Sequence, residues 1–154
     1  TAWTTSTTST TPSTSSASKV TFEQYAVAGQ KKLKSGDRKG AVPLYASALK
    51  VGTPNRVMLG VVHSQLGNCL LSLGMYEMAI RNHRADLDIA LNELKDFAGA
   101  AQSWANLGNA YQGKPDFGSA SRCFEQQLLI ASKLDRADLQ CKALANLGMN
   151  YETA

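Results

Sequence analysis

The chain has 154 residues, 44% of them hydrophobic and only 7% aromatic, with a formal net charge of +4 at pH 7. That size permits one ordinary domain with a sizeable core, and the abundance of alanine and leucine favours helix over sheet. No apolar run is long enough to cross a bilayer, and no charged start leads into the apolar stretch of a secretory signal.

Residues 1–18 stand apart: fourteen of the eighteen are Ser or Thr, with one Pro, one Trp and no charge. Such a segment cannot bury enough apolar surface to offset its ordering entropy, so it reads as a disordered linker or a cloning remnant. A mucin-like glycosylated stalk is the rival reading. The absence of an N-x-[ST] sequon downstream and three unpaired-looking cysteines argue against secretion. The sequence has no initiator Met, and its last residues, Asn150 to Ala154, sit inside a helical pattern. It is therefore expected to be a fragment of a longer protein.

The next stretch is basic. Residues 19–50 carry seven Lys or Arg and two Asp or Glu, whereas residues 51–154 carry nine and ten. The excess is one cluster, Lys31, Lys32, Lys34, Arg38 and Lys39, read as a solvated helix end and turn. Its alternative use is a patch for an acidic peptide, a phosphate or a membrane surface. No stacking aromatics accompany it, which argues against nucleic acid.

From here helices alternate with turns. Ser35-Gly36-Asp37 breaks the first helix, with Gly supplying the left-handed conformation and Asp a cap for the next helix. A second pair is expected at roughly Arg56 to Leu73 and Tyr76 to Leu94, split by Gly74. A third begins at about Phe97 to Gln112. Gly113-Lys114-Pro115-Asp116 then breaks the chain, with Asp116 capping the following helix. Nowhere does the period-two alternation of a half-buried strand appear. Cys69, Cys123 and Cys141 fall within predicted helices without C-x-x-C spacing, and read as small buried thiols rather than zinc ligands or redox groups.

These elements repeat. Leu66-Gly67-Asn68 recurs as Leu107-Gly108-Asn109 and, altered, as Leu147-Gly148-Met149-Asn150, the glycines lying 41 and 40 residues apart. Ala79 and Ala120 follow the first two glycines at offset 12, Leu87 and Leu128 at 20, and Ile89 and Ile130 at 22. Gly29 opens the same frame upstream, followed by Gly36, Ala41, Leu49 and Val51 at offsets 7, 12, 20 and 22. The repeats span about 20–53, 54–95, 96–136 and 137–154, the last being a first helix only. Gly67 and Gly108 are expected to let the first helix of each pair approach closely, with Ala79 and Ala120 on the facing surface. A single hairpin cannot cover its own apolar face, so the repeats stack and share a core.

The forty-residue spacing exceeds the roughly 34 of the standard tetratricopeptide repeat. With its Leu-Gly-Asn motif and a second helix such as Ala79 to Ala90, the pattern resembles the LGN/Pins group of spindle-orienting adaptors. Gly29 to Asp37, Ala48 to Thr53 and Ser64 to Asn68 carry the likeness, which covers about residues 22–154. The resemblance implies an all-α, tetratricopeptide-type superhelix of about 3.5 repeats. It further implies a concave wall, lined by the first helices, that holds an extended peptide. Inscuteable- or NuMA-like partners and a cytoplasmic location, including the cell cortex, follow from the same likeness. Gα binding in such proteins uses GoLoco motifs, and no such segment is present. Large multi-repeat tetratricopeptide scaffolds share much of the pattern, so a structural or self-associating role is the alternative.

Helical spacing picks the inner face independently. Offsets −6, −2, +1 and +5 from each anchor glycine step by four, three and four, and so share a stripe. They are Glu23, Val27, Gln30 and Lys34; Val61, Gln65, Asn68 and Ser72; Gln102, Asn106, Asn109 and Gly113; and Lys142, Asn146 and Met149. An amide side chain both donates and accepts, so it can pair with any peptide backbone. The expected site therefore has Asn68, Asn106, Asn109 and Asn146 gripping a main chain, with Lys34, Gln65, Gln102 and Lys142 tuning specificity. Merely polar surface and helix–helix bonding are the plainer uses of the same residues. The family pattern places basic residues at offset −6, but Val61 and Gln102 occupy two of those places, and Met149 replaces a ladder Asn.

Catalysis is not expected. There is no P-loop, G-x-G-x-x-G, G-x-S-x-G or H-E-x-x-H. His63 and His83 sit on different helices as hydrogen-bonded, partly buried residues, and Asp86 and Asp88 face different ways. No metal, cofactor, nucleic acid or membrane segment is expected.

Overall fold

In the computed structural model, residues 19–154 are described; the expectation for residues 1–18 lies outside them. Among the described residues there are seven α-helices and no strand: α1 (Phe22–Lys34), α2 (Arg38–Val51), α3 (Arg56–Ser72), α4 (Tyr76–Asp88), α5 (Phe97–Gly113), α6 (Phe117–Lys133) and α7 (Ala137–Thr153). A π-helical turn, Ile89–Glu93, extends α4. The expected single helix from Tyr76 to Leu94 is thus two geometries in series. Consecutive helices pack as antiparallel hairpins, and the first helices of successive repeats also touch, α3 with α5 and α5 with α7. The fold is the all-α stack of tetratricopeptide-type hairpins that the glycine spacing indicates.

The turns follow from local chemistry. Thr21 and Gln24 form a reciprocal capping box at the start of α1. Asp37, Asn55, Asp96 and Asp116 each accept a backbone N–H three residues on, satisfying an orphan donor of the next helix. Gly36 and Gly74 take φ of 81° and 74°, where a side chain would be strained. Lys95 and Asp135 hold the same left-handed region without that freedom, at 54° and 52°.

The hairpins close by a ring packed on a glycine. Sixteen residues after Gly29, Gly67 and Gly108 come Tyr45, His83 and Phe124, and all three rings are buried. A Cβ built on Gly29 would sit 2.8 Å from the Tyr45 ring, and one on Gly67 2.5 Å from the His83 ring. On Gly108 it would press still closer on Phe124. This adds a partner to the expected facing surface. Ala79 and Ala120 are fully buried, but the group that meets the glycine is the ring one helical turn further along.

Around these contacts Val62, Leu66, Leu70, Ile80, Leu87 and Leu107 complete the core. Cys69 and Cys123 are buried within it, and burial pushes the Cys123 thiol up to about 11. Cys141 departs from expectation: it lies exposed on α7. His63 is half-buried with Nδ1 2.9 Å from Asn82 Oδ1. His83 is different, being fully buried with no hydrogen-bond partner for either ring nitrogen among the described residues.

Two predictions follow from this packing. Gly108→Ala should destabilise by about 1–3 kcal/mol, because the Phe124 ring must move. Gly148 has nothing within 4 Å of a built Cβ, so Gly148→Ala should stabilise by about 0.5–1 kcal/mol. Thermal melts of the two variants check both, and equal shifts would remove the ring contact as the cause. The second concerns acid. Burial lowers the His83 pKa from 6.5 to about 4, so below pH 6.5 the unfolded chain takes up a proton that the folded chain refuses. Stability should therefore fall as pH drops from about 6.5 to about 4, by up to about 3 kcal/mol. His83→Phe should lack that component in urea titrations at the two pH values.

Candidate functional site

The first helices α1, α3, α5 and α7 carry the predicted stripe. Capped starts and ring-packed middles fix which side of α1, α3 and α5 faces the second helix of its hairpin, whereas α7 has no side-chain cap and nothing within 4 Å of a Cβ built on Gly148. At offset +1 the repeats differ: Gln30 is half-buried and accepts from the Tyr45 hydroxyl at 3.2 Å, whereas the same position in α3 and α5 is turned away from the ring contact. Asn68 and Asn109 are exposed, and neither side chain is hydrogen-bonded to another described residue. Lys34 and Lys142 are likewise exposed, at the end of α1 and within α7, without an ion pair among the described residues.

Offset −2 behaves differently. Gln65, Asn106 and Asn146 are half-buried. Asn146 donates through Nδ2 to Gln127 Oε1 on α6 at 3.2 Å. Gln127 is itself buried, and its own Nε2 has no partner among the described residues. Asn106 donates to Ser64 Oγ on α3 at 3.5 Å and accepts from Gln102 Nε2 at 3.1 Å, joining two adjacent first helices. The stripe therefore holds two kinds of amide: outward-facing Asn68 and Asn109, and Asn106 and Asn146, which neighbouring helices engage. Asn150, one step off the stripe, is buried and donates to Phe117 O and Ser121 Oγ. Exposed apolar groups interleave with the amides: Val27, Val57, Val61 and Met149 are each more than half exposed.

A cavity of about 220 Å³ opens between α3, α5 and the end of α4, lined by both Val61 and Gln102 of the stripe. Val57, Ile89 and Leu94 give it apolar walls, and Gly60 and Gly99 keep its sides low. Asp86 lies in it, half-buried, accepting from Ser103 Oγ at 2.8 Å, and Ser64 also lines the cavity. Burial outweighs this bond and raises the carboxyl above its ordinary value. Asp88, as expected, faces elsewhere and is exposed, accepting from Asn92 Nδ2 at 2.6 Å.

Sequence reading missed this cavity and Asp86 within it. The signal was present: Ala79, His83, Asp86 and Ala90 step by four, three and four along one helix arc, so the carboxylate sits in an otherwise buried stripe. Elsewhere, Arg84 donates to the Tyr111 hydroxyl and lies 5.9 Å from its ring centroid, tying α4 to α5. Arg56 pairs with Glu93 of the π turn. The basic cluster is solvated throughout, with Lys32 paired to Asp37 at 3.0 Å. Among the described residues, no cluster of three or more His, Cys, Asp or Glu could hold a metal ion, and no helix is long and apolar enough to cross a membrane.

The division of the stripe can be tested by stability alone. Asn146→Ala leaves the Gln127 carbonyl buried without its donor and should destabilise by about 1–3 kcal/mol. Asn68→Ala and Asn109→Ala should stay within about 0.5 kcal/mol of the parent. Chemical denaturation of the three variants measures this.

Comparison with known proteins agrees with the geometry. The tetratricopeptide repeat family model matches residues 62–96. Human G-protein-signaling modulator 1 is 32% identical over 103 residues, which is 67% of this chain and 15% of that protein. Human tetratricopeptide repeat protein 28 is 34% identical over 90 residues, 58% of this chain and 4% of that protein. The chain thus spans a small part of the curated relatives it matches. Among solved structures, PcrH from Pseudomonas aeruginosa superposes with a TM-score of 0.66 at 18% identity, over 84% of this chain and 91% of its own. PcrH in complex with the chaperone binding region of PopB gives 0.64 at 19% identity, over 82% and 94%. With the forty-residue glycine frame and the hairpin stack, these likenesses identify the chain as a tetratricopeptide repeat protein that resembles the LGN/Pins group in sequence.

Proposed function

We propose that this chain is a non-catalytic protein-binding scaffold whose first-helix face holds an extended peptide segment. The observation that carries the reading is the pair Asn68 and Asn109. They recur at one repeat position, project outward, and keep donor and acceptor free. An extended peptide has unpaired N–H and C=O groups along its length, and amides at repeat spacing can bond them whatever its side chains are. The exposed Val27, Val61 and Met149 beside them offer apolar contact to the same segment. PcrH, of the same fold, is seen with a region of PopB, which supports peptide capture as a use of this architecture. Asn106 and Asn146 serve mainly to hold neighbouring helices in this reading, while Gln65, Gln102, Lys34 and Lys142 border the bound segment.

The likeness to G-protein-signaling modulator 1 supports a finer reading, a cell-polarity or spindle-orientation adaptor working at the cell cortex with Inscuteable- or NuMA-like partners. The likeness to tetratricopeptide repeat protein 28 supports the alternative, a segment of a large structural scaffold. Asn68→Ala combined with Asn109→Ala should weaken capture of a bound peptide about tenfold or more, at two lost hydrogen bonds, with helicity unchanged. Fluorescence polarisation against peptides recovered by pulldown gives the measurement. Unaltered affinity would remove the amides as the grip. Concentration-dependent self-association in light scattering, without any peptide captured, would favour the structural scaffold.

A further inference from the structure

We infer that the cavity between α3, α4 and α5 is a pocket for a basic side chain, a lysine or arginine of the bound segment. This rests on the groove reading above and specifies what the groove selects. The cavity, about 220 Å³, opens on the stripe beside Val61 and Gln102. Its walls are apolar, so the methylene stem of a long cationic side chain has Val57, Val61, Ile89 and Leu94 to lie against. Asp86 lies within it, with Asp96 at its lining.

The carboxylate at Asp86 is uncompensated. Its hydrogen-bond donor, Ser103, is a neutral hydroxyl. The charged and titratable groups that act on it are His63 of α3 and Asp96, the second of which opposes its ionisation. No lysine or arginine lines the cavity, and Asp86 has no ion pair among the described residues. A half-buried carboxylate in that state gains most from a cation brought in from outside, since charge-assisted hydrogen bonds are stronger than those to hydroxyls. Ser103 holds Oδ2 from the α5 side, which fixes the group in the cavity. The cavity also lies between the two repeat positions, Val61 and Gln102, where the family likeness leads one to expect basic residues. The acid beneath them reverses the charge preference at this point of the groove: an acidic residue of the ligand is disfavoured here and a basic one selected.

The test uses the whole chain and three fluorescent libraries of random nonapeptides, with the central residue fixed as lysine, norleucine or glutamate. The unaltered chain should retain the lysine library about tenfold over the norleucine library, the size of one charge-assisted bond. Glutamate should be retained least. Asp86→Asn should bring lysine and norleucine retention together. Val61→Lys, at an exposed position on α3, supplies a cation from the protein itself and should abolish the same preference without removing a core contact. Circular dichroism melts accompany both variants. If the parent chain shows no preference for lysine, or if the preference survives in both variants, the pocket assignment is overturned. If all three libraries bind with equal strength and Asn68→Ala with Asn109→Ala weakens them, the groove reading stands while the basic pocket fails. If no library is retained, both are overturned.

Discussion

Everything in this structure depends on one contact, the aromatic ring seated on a glycine sixteen residues earlier. Glycine costs a helix about 1 kcal/mol relative to alanine. Burying a large side chain against it returns about 1.5–3 kcal/mol. The exchange is favourable only if the ring lies flat against the backbone of the first helix, and that requirement sets how closely the two helices of each hairpin approach. Tyr45 and Phe124 meet it with carbon. His83 meets it with an imidazole that has no hydrogen-bond partner for either nitrogen among the described residues, and burial lowers its pKa to about 4.

The same contact orients the face proposed to bind a peptide. In α3 and α5, once the anchor glycine faces the second helix, the following residue is rotated about a quarter-turn outward and the residue two before it is half-buried. That is why Asn68 and Asn109 stay exposed while Asn106 reaches Ser64. Fold and site share one geometric origin, which is economical but also restrictive. A bound segment that drew Asn146 toward itself would leave a buried amide without its partner.

The glycine frame, the turn residues and the caps at Asp37 and Asp116 were legible in the sequence because each depends on local chemistry. The ring partner was harder to see. Tyr45, His83 and Phe124 share size and flatness but not identity, so a search for recurring letters passes over them. The two kinds of amide were also indistinguishable, since the partner that separates them, Gln127 or Ser64, comes from another helix. Asp86 was visible only as an anomaly within a buried arc, and its meaning depends on Gly60, Ser103 and Leu94, which the fold brings together. Cys141 shows the opposite failure. Its residue type suggested burial, but its position on α7 leaves it facing water.

The π turn at Ile89–Glu93 sits between the His83 ring and the next anchor, Gly108, a stretch of 25 residues. The matching stretch from Phe124 to Gly148 is 24 and contains no such turn. The turn is where the surplus residue is housed. A π turn accommodates one extra residue by widening the coil locally, so the helices before and after it keep their packing. Repeat length can therefore drift by one residue without moving a ring off its glycine. The hairpin stack tolerates insertions at the ends of its second helices and forbids them between glycine and ring, where the sixteen-residue interval is invariant across all three complete repeats.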